Sequence, residues 1–266
     1  MIIDCFPFFN EVDMLYDRLS YLNDSVDYFV ISECDHTFSG KPKPYNFLDN
    51  VFKFRHFSSK ILYVPMSVDN TMYDFNQKVE YYDRNSEYNR LESDQRDNLL
   101  IAVERFSDND IIVLSDLDEI PNKYVFEHID DILGNDDIIS LSQDYFYYGL
   151  KNRFVQKWAL PVVTRKSTAV SMKMSGLRSA AIDKKTTKVI TNGGGHLSYF
   201  MSPEKIKEKI QSFSHVELDN PYHNDLNRIK SCIENRVDLF ERDVPIITAE
   251  LDDFPDDFWS VFGKYY

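Results

Sequence analysis

The first half of the chain alternates short apolar segments with segments of helical periodicity, and this alternation limits the possible folds more than any other feature. Met1–Phe9 and Ile111–Leu114 favour β-structure, and the second is apolar throughout, as in a strand buried on both faces. Between them, the apolar residues of 12–22 recur at helical spacing. Strands that alternate with helices form a mostly parallel sheet with crossover helices. We therefore predict an α/β fold.

The same patterns place the other elements. Asn10 is a candidate N-cap for the first helix, and Ser202 followed by Pro203 marks the start of a later one. At 266 residues the chain fits a single domain. Further predicted helices cover about Arg84–Phe106, Asn122–Leu133 and about Asn224–Phe240. Further predicted strands are Val26–Ser32, Ile61–Val64, Ile138–Ser142, Ala159–Arg165 and Ala169–Met174.

The composition excludes several classes of protein. The formal net charge is −14 and no Lys/Arg cluster stands out, so we expect no binding to nucleic acid or to anionic membranes. Three cysteines without metal-ligand spacing indicate reduced thiols in a cytosol-like compartment. No run approaches 18 apolar residues, so we expect neither a signal peptide nor a membrane anchor, and a cytoplasmic location.

An acidic motif follows the most apolar of the predicted strands. Asp116 and Asp118 come just after Ile111–Leu114, where open α/β sheets bind their ligands. Two neighbouring carboxylates repel each other unless a cation or a proton intervenes, and Mg²⁺ or Mn²⁺ suits oxygen ligands. The alternative is structural: Asp116 closes a turn, and Asp118 and Glu119 begin a helix whose dipole favours them. Both interpretations remain open at this point.

Several segments together resemble glycosyltransferase family 17, the β-1,4-N-acetylglucosaminyltransferases that add the bisecting residue to N-glycan cores. They occur in the family's order and extend from about Met1 to Phe240. The matching segments are Asp4–Glu11, Thr37–Pro44, Gln95–Asn98, Ser115–Pro121, Gly193–Phe200 and Ser212–Glu217.

The resemblance implies a GT-A fold with a mostly parallel central sheet and a helical C-terminal part. It also implies an inverting transfer of N-acetylglucosamine from UDP-GlcNAc to a glycan or glycoconjugate hydroxyl, with Mn²⁺ or Mg²⁺ as cofactor. We expect one GT-A domain over residues 1–266, with a nucleotide-binding half of about 1–120 and an acceptor half of about 121–266. Two departures from the family's pattern stand out: we expect no N-terminal anchor, and Gly195 stands where an aromatic residue usually precedes the histidine.

On this basis Asp118 is the expected direct metal ligand. Asp116 would bind the metal through water or contact the donor ribose, and Glu119 would support them from behind. Each further candidate also has a structural explanation, such as a strand end for Glu33, a helix cap for Asn10 and a solvated helix face for residues 95–98. The candidate donor-binding residues are Phe8, Asn10, Glu11, Glu33, Gln95, Arg96, Asn98, Asp116 and Arg178.

Inverting transfer also needs a general base for the acceptor hydroxyl. His196, after the glycine-rich turn, is a candidate either for this base or for a metal ligand, and Glu217 is the alternative base. Asp144 and Asp183 are further options. Lys41 and Lys43 would steer the anionic donor or solubilise their loop. Four aromatic residues would stack on acceptor sugars or belong to the core: Phe146, Tyr147, Tyr148 and Trp158.

Two other functions fit the motifs. A metal-dependent nucleotidyltransferase or phosphohydrolase would use the same carboxylate pair. A catalytically inactive GT-A-like module would bind glycans without turnover.

Overall fold

The computed structural model describes residues 1–266 and contains twelve strands in two sheets. In chain order the strands are β1 (Ile2–Phe8), β2 (Tyr28–Cys34), β3 (Ile61–Met66), β4 (Ile111–Leu114), β5 (Glu119–Pro121), β6 (Ile138–Leu141), β7 (Asp144–Tyr147), β8 (Asn152–Phe154), β9 (Val162–Arg165), β10 (Lys188–Ile190), β11 (Gly194–Ser198) and β12 (Ile246–Thr248).

Eleven α-helices surround the sheets, and none is long and apolar enough to cross a membrane. They are α1 (Val12–Leu22), α2 (Asn46–Asp49), α3 (Glu87–Asn98), α4 (Leu100–Val103), α5 (Lys123–Glu127), α6 (Ile129–Leu133), α7 (Lys166–Met172), α8 (Met174–Ile182), α9 (Pro203–Ile210), α10 (Leu226–Asn235) and α11 (Asp256–Phe262). Short 3₁₀ helices cover Val51–Phe57, Asn70–Met72, Val216–Leu218, Leu251–Asp253 and Gly263–Tyr265.

The first sheet has seven strands in the order β10-β6-β9-β4-β1-β2-β3. Strand β1 pairs in parallel with β2 and β4, and only β9 runs antiparallel to its neighbours. All four residues of β4 are buried, as its unbroken apolar sequence predicted. The α/β fold with a mostly parallel central sheet is therefore confirmed. Because β1, β2 and β4 run the same way, their carboxyl ends lie at one edge of the sheet.

The second sheet has five strands in the order β12-β8-β7-β11-β5, and most of its pairs are antiparallel. It begins directly after the acidic motif, since β5 starts at Glu119 and pairs with β11 in a register that sets Glu119 opposite His196. Gly194 at the start of β11 has a φ of +124°, and a Cβ there would lie 2.0 Å from the carbonyl oxygen of Ile120. Only glycine allows the two strands to approach this closely.

The C-terminal segment packs back onto the body of the chain. Phe258 and Phe262 of α11 are buried and contact the ring of Tyr21 edge-on, at centroid distances of 5.7 and 5.5 Å. This helix therefore covers α1 and belongs to the largest apolar cluster.

Several sequence-based predictions were wrong in detail. The segment Ala169–Met174 is helical, because six residues of alternating polarity fit either period and packing against β9 and β4 decides. The helix predicted from Arg84 begins at Glu87, since Ser86 caps it by accepting from the amide of Asn89. That helix is also followed by a separate short one, α4, and the helix predicted over 122–133 is divided at His128.

The two remaining corrections concern helix ends. Glu11, rather than Asn10, is the N-cap of α1. The main-chain N–H of Asn10 donates to the Glu11 carboxylate at 3.2 Å. The helix predicted to reach Phe240 ends at Asn235, because Arg236 adopts a left-handed conformation with a φ of 55°. The predicted start of α9 is confirmed, with the Ser202 hydroxyl accepting from the amide of Lys205.

Candidate active site

A cavity of about 660 Å³ opens at the carboxyl ends of β1 and β4 and extends to the second sheet. This is where ligands bind in open α/β sheets. Many of the predicted site residues come together on its lining: Phe8, Glu11, Gln95, Arg96, Asp116, Asp118, Arg178 and His196.

A buried arginine from α1 holds the acidic loop, which we define as Ser115–Asp118. Arg18 is fully buried and forms a bidentate ion pair with Asp4, with contacts of 2.6 and 2.9 Å. The same guanidinium donates to the Ser115 hydroxyl at 2.6 Å. It also donates at 3.0–3.1 Å to three main-chain carbonyl oxygens, those of Asp116, Leu117 and Glu119. The buried Arg18 side chain therefore fixes the conformation of the acidic loop.

Two arginines hold the Asp116 carboxylate. Its Oδ1 accepts from Arg96 at 2.9 Å and its Oδ2 from Arg178 at 2.7 Å. Burial raises the pKa of Asp116, but the attraction of Arg178 and Arg96 outweighs it and lowers the pKa to about 2. Asp116 is therefore ionised at neutral pH, and both of its oxygens are already engaged.

Glu119 does not line the cavity, but it binds both Arg178 and the main chain of Asp116. Its fully buried carboxylate accepts two bonds from Arg178, at 2.7 and 2.9 Å, and one from the amide of Asp116 at 2.8 Å. The indole of Trp158 donates to it at 2.5 Å. Glu119 therefore connects the acidic loop with Trp158, which lines the cavity.

Asp118 has different neighbours from Asp116. Its Oδ2 accepts from Lys209 of α9 at 3.1 Å, and its Oδ1 lies 3.6 Å from Nε2 of His196. Burial raises the pKa of Asp118, but the attraction of Lys209 outweighs it and holds the pKa well below its ordinary value. The Lys209 ammonium also lies 3.4 Å from Glu11 and so bridges two carboxylates.

Aromatic rings fix the orientation of His196. The ring of Tyr145 stacks on it with centroids 4.8 Å apart and planes 7° from parallel, and Trp158 packs against it at 4.6 Å. Its Nδ1 is buried without a hydrogen-bond partner, which leaves Nε2 directed at the Asp118 carboxylate.

The sequence matches the glycosyltransferase family 17 profile over residues 1–245, nearly the whole chain. The chain belongs to glycosyltransferase family 17. It is therefore a glycosyltransferase, and the family together with the mostly parallel sheet confirms the predicted fold class. No curated protein sequence matches it significantly.

Solved structures resemble this glycosyltransferase only distantly. The 4-diphosphocytidyl-2C-methyl-D-erythritol synthase is 13% identical with a TM-score of 0.46, and the match covers 79% of this chain and 98% of that one. S. aureus TarS 1-349 is 12% identical with a TM-score of 0.42, and the match covers 88% of this chain and 71% of that one. The galactosyltransferase LgtC in complex with donor and acceptor sugar analogs is 10% identical with a TM-score of 0.35, and the match covers 88% of this chain and 95% of that one.

Two side chains at the acidic loop of the glycosyltransferase have the chemistry of metal ligands, Asp118 and His196. No cluster of three or more His, Cys, Asp or Glu side chains is arranged to hold a metal. Asp118 and His196 are nevertheless close enough to be ligands of one ion. The ion pairs at the acidic loop form two clusters, and in each cluster the carboxylates outnumber the cations by one. Arg96 and Arg178 pair with Glu92, Asp116 and Glu119, and Lys209 pairs with Glu11 and Asp118.

Three predicted donor-binding residues of the glycosyltransferase lie outside the cavity lining: Asn10, Glu33 and Asn98. The buried carboxylate of Glu33 is occupied by four donors, from Lys43, the amides of residues 46 and 47, and Tyr63, at 2.6–3.0 Å. Asn98 donates to Ser32 and to the carbonyl of Val64, each at 3.1 Å. Glu33 and Asn98 therefore hold the strand ends in place, as the structural explanation proposed for Glu33. The solvated helix face proposed for residues 95–98 is wrong, because Asn98 bonds to β2 and β3 while Gln95 and Arg96 are buried.

Gln95 is on the lining, but its amide also joins two strand ends. It donates to the carbonyls of Phe8 and Ser32 at 3.3 and 2.9 Å, so it connects β1 with β2. Lys43 lines the cavity while it is paired with Glu33, whereas Lys41 lies off the lining and donates to the carbonyl of Gln211.

The alternative base Glu217 does not line the cavity either, but it accepts from Nδ1 of His215, which does. Asp144 is paired with Lys157, and Asp183 with Arg84, both away from the acidic loop.

Of the four aromatic candidates for sugar stacking, only Trp158 faces the cavity. Phe146 and Tyr147 are buried in the core, and Tyr148 lies off the lining with its hydroxyl bonded to the carbonyl of Val237.

Sequence reasoning missed Arg18, Lys209 and Tyr145. A signal existed for Arg18, because helical spacing places it on the same face of α1 as Leu15, Leu19 and Leu22, and that face is buried. Lys209 carried no such signal, because α9 contains three lysines and the sequence pattern does not distinguish Lys209 from Lys205 and Lys207.

Proposed function

We propose that the chain is an inverting, metal-dependent glycosyltransferase that moves N-acetylglucosamine from UDP-GlcNAc to a glycan hydroxyl. One observation carries the proposal: the cavity at the carboxyl ends of β1 and β4 contains the ionised Asp116 and Asp118, each in an ion-pair cluster in which carboxylates outnumber cations by one. This local excess of carboxylate favours a divalent cation, Mn²⁺ or Mg²⁺, which can bridge a carboxylate to a diphosphate.

The cations of the cavity support an anionic donor. The chain carries a net charge of −14, yet the lining holds six cationic side chains and four carboxylates. Arg96, Arg178 and Lys209 lie against the acidic loop, within reach of a diphosphate that replaces part of their present ion pairs. Arginine forks and lysine ammonium groups are both common phosphate ligands.

Asp118 and His196 would hold the metal, which would act as a Lewis acid on the leaving diphosphate. Asp116 would instead act through Arg96 and Arg178, because both of its oxygens are engaged by them. His196 packs against two aromatic rings with Nε2 beside Asp118, which favours its role as a ligand over its role as the base.

The chain's own residues would lower the barrier by preorganisation. In an inverting transfer the acceptor oxygen attacks the anomeric carbon as the bond to the diphosphate breaks, and negative charge grows on the diphosphate. Arg96, Arg178 and Lys209 would stabilise that charge once the donor has replaced part of their present ion pairs. Arg18 and Glu119 already hold the acidic loop in place in the folded chain. The loss of conformational entropy on ordering the loop therefore accompanies folding and does not add to the barrier of the reaction.

The choice of UDP and N-acetylglucosamine rests on the family resemblance. The test is therefore UDP release from UDP-GlcNAc and from UDP-glucose, with Mn²⁺ or with EDTA, for wild type and Asp118→Ala. Asp108→Ala is the matched control, because Asp108 lies in a solvent-exposed turn and is 75% exposed.

We expect Mn²⁺-dependent release that prefers UDP-GlcNAc, persists in Asp108→Ala and disappears in Asp118→Ala. Release without a metal would overturn metal dependence, and a preference for UDP-glucose would overturn the donor. Absence of both release and UDP binding would favour the inactive glycan-binding module.

A further inference from the structure

We propose that Tyr82, Phe213 and His215 form the acceptor subsite, that it takes a neutral pyranose, and that His215 is the general base. Glu217 is the positioning residue for His215. The proposal rests on the glycosyl transfer proposed above and deepens it.

The three rings form a partly exposed platform on the cavity lining. The rings of Tyr82 and His215 stack with centroids 4.9 Å apart and planes 23° from parallel, and Phe213 packs against His215 at 5.6 Å. All three residues line the cavity, while Tyr82 is 50% exposed and the His215 side chain 44%. A ring that is partly exposed in a cavity, as Tyr82 is, offers an apolar face on which the C–H face of a pyranose packs.

Glu217 fixes the tautomer of His215. Its Oε1 accepts from Nδ1 of His215 at 2.9 Å, and its side chain is only 12% exposed. A neutral imidazole that donates from Nδ1 carries its lone pair on Nε2, and His215 Nε2 has no hydrogen-bond partner in the protein. A carboxylate that orients a histidine in this way is the arrangement of a general base.

The platform is tied to the acidic loop through a continuous chain of contacts. The hydroxyl of Ser214, next to His215, is hydrogen-bonded to Glu92, which accepts from Arg96 at 2.7 Å. Arg96 in turn donates to Asp116 at 2.9 Å. The base and the donor cations therefore line the same cavity and are held in a fixed relation.

The charges at this end of the cavity favour a neutral sugar. Arg242 forms a bidentate ion pair with Asp238 at 2.7 and 2.8 Å, and Arg84 is paired with Asp183 at 2.8 Å. A carboxylated acceptor would have to displace Asp238 or Asp183 to find a counter-charge here, whereas a neutral sugar leaves both ion pairs intact.

In the reaction, Nε2 of His215 takes the proton of the acceptor hydroxyl as its oxygen attacks the anomeric carbon. The bond from that carbon to the diphosphate oxygen breaks, and its electron pair leaves with the diphosphate. The acceptor proton thus ends on the imidazole, whose positive charge Glu217 stabilises.

The test of the base uses UDP release from UDP-GlcNAc with Mn²⁺, with the methyl β-pyranosides of glucose, galactose, mannose and N-acetylglucosamine as acceptor probes. We expect His215→Ala to lower kcat by about 10²–10⁴-fold, with an unchanged Kd for UDP and partial rescue by added imidazole. His215→Gln, which preserves most of the side-chain volume, should be equally impaired. The control His128→Ala changes an exposed histidine on the far surface and should keep full activity.

The positioning role of Glu217 predicts a graded effect. Glu217→Ala should lower kcat by about tenfold, and Glu217→Gln, which keeps an acceptor oxygen, should restore most of it. A kcat within threefold of wild type for both His215 variants would overturn the assignment of the base.

The stacking role is tested by Tyr82→Ala against Tyr81→Ala, because Tyr81 is 81% exposed and does not line the cavity. Tyr82→Ala should raise KM for the best pyranoside about tenfold with little change in kcat, and Tyr81→Ala should not.

Two results would overturn the subsite. If wild type binds UDP but none of the four pyranosides accelerates UDP release or gives a saturation-transfer signal, the subsite is wrong and the donor site stands. If wild type does not bind UDP, the proposed function fails and the subsite with it.

Discussion

Replacing Arg18 by lysine tests how far the acidic loop depends on one buried guanidinium. Arg18 makes six hydrogen bonds, to Asp4, to Ser115 and to three carbonyl oxygens of residues 116–119. A lysine has at most three donors, so at least three buried acceptors lose a hydrogen bond, each at a cost of about 1–3 kcal/mol where no other donor replaces it. We expect Arg18→Lys, which keeps the positive charge beside Asp4, to lower the free energy of unfolding by about 3–5 kcal/mol through these lost bonds.

Urea unfolding, followed by circular dichroism, measures this loss, and thermal unfolding should show a decrease in Tm of roughly 6–20 °C. Arg105→Lys is the control, because Arg105 is exposed and forms no ion pair; it should change stability by less than about 0.5 kcal/mol. UDP affinity should also fall in Arg18→Lys, since the loop loses its support. A loss of stability below about 1 kcal/mol, with an unchanged urea dependence, would refute the role assigned to Arg18.

Further predictions concern pH and backbone geometry. Because the pKa of Asp116 is lowered to about 2 in the folded chain, its ionised form stabilises the fold above its ordinary pKa, near 4. The free energy of unfolding in EDTA should therefore fall more steeply from about pH 4 to pH 2 in wild type than in Asp116→Asn; equal slopes would contradict the ion pairs. Gly194→Ala should cost more than about 2 kcal/mol in urea unfolding, because of its φ of +124° and the nearby carbonyl of Ile120. Gly176→Ala, whose new Cβ would meet nothing closer than 3.7 Å, should stabilise helix α8 by about 0.4–1 kcal/mol, and a loss there would contradict the helix geometry.

The elements that the sequence predicted well are those with a strong local pattern. Strand β4 was predicted to the residue because four consecutive apolar β-favouring residues fit little else, and the start of α9 followed from Ser202 and Pro203. The segment Ala169–Met174 failed for the opposite reason, since its short pattern suits both periods and tertiary packing decides.

The candidate site could be located from the sequence, but its internal pairing could not. The acidic motif after β4 gave the position of the cavity, because parallel strands end at one edge of the sheet. The partners of its carboxylates come from far along the chain: Arg178 is 62 residues from Asp116, and Lys209 is 91 residues from Asp118. Spacing carries no information about such pairs, and the same holds for the four donors that occupy Glu33.

Crystals grown with UDP and MnCl₂ give the most direct test that this cavity is the metal-dependent donor site. An anomalous difference map should show a manganese peak between Asp118 and His196, with the diphosphate bound beside Arg96 and Arg178. UDP bound outside the cavity, or a manganese peak that does not touch Asp118, would contradict the proposed donor site.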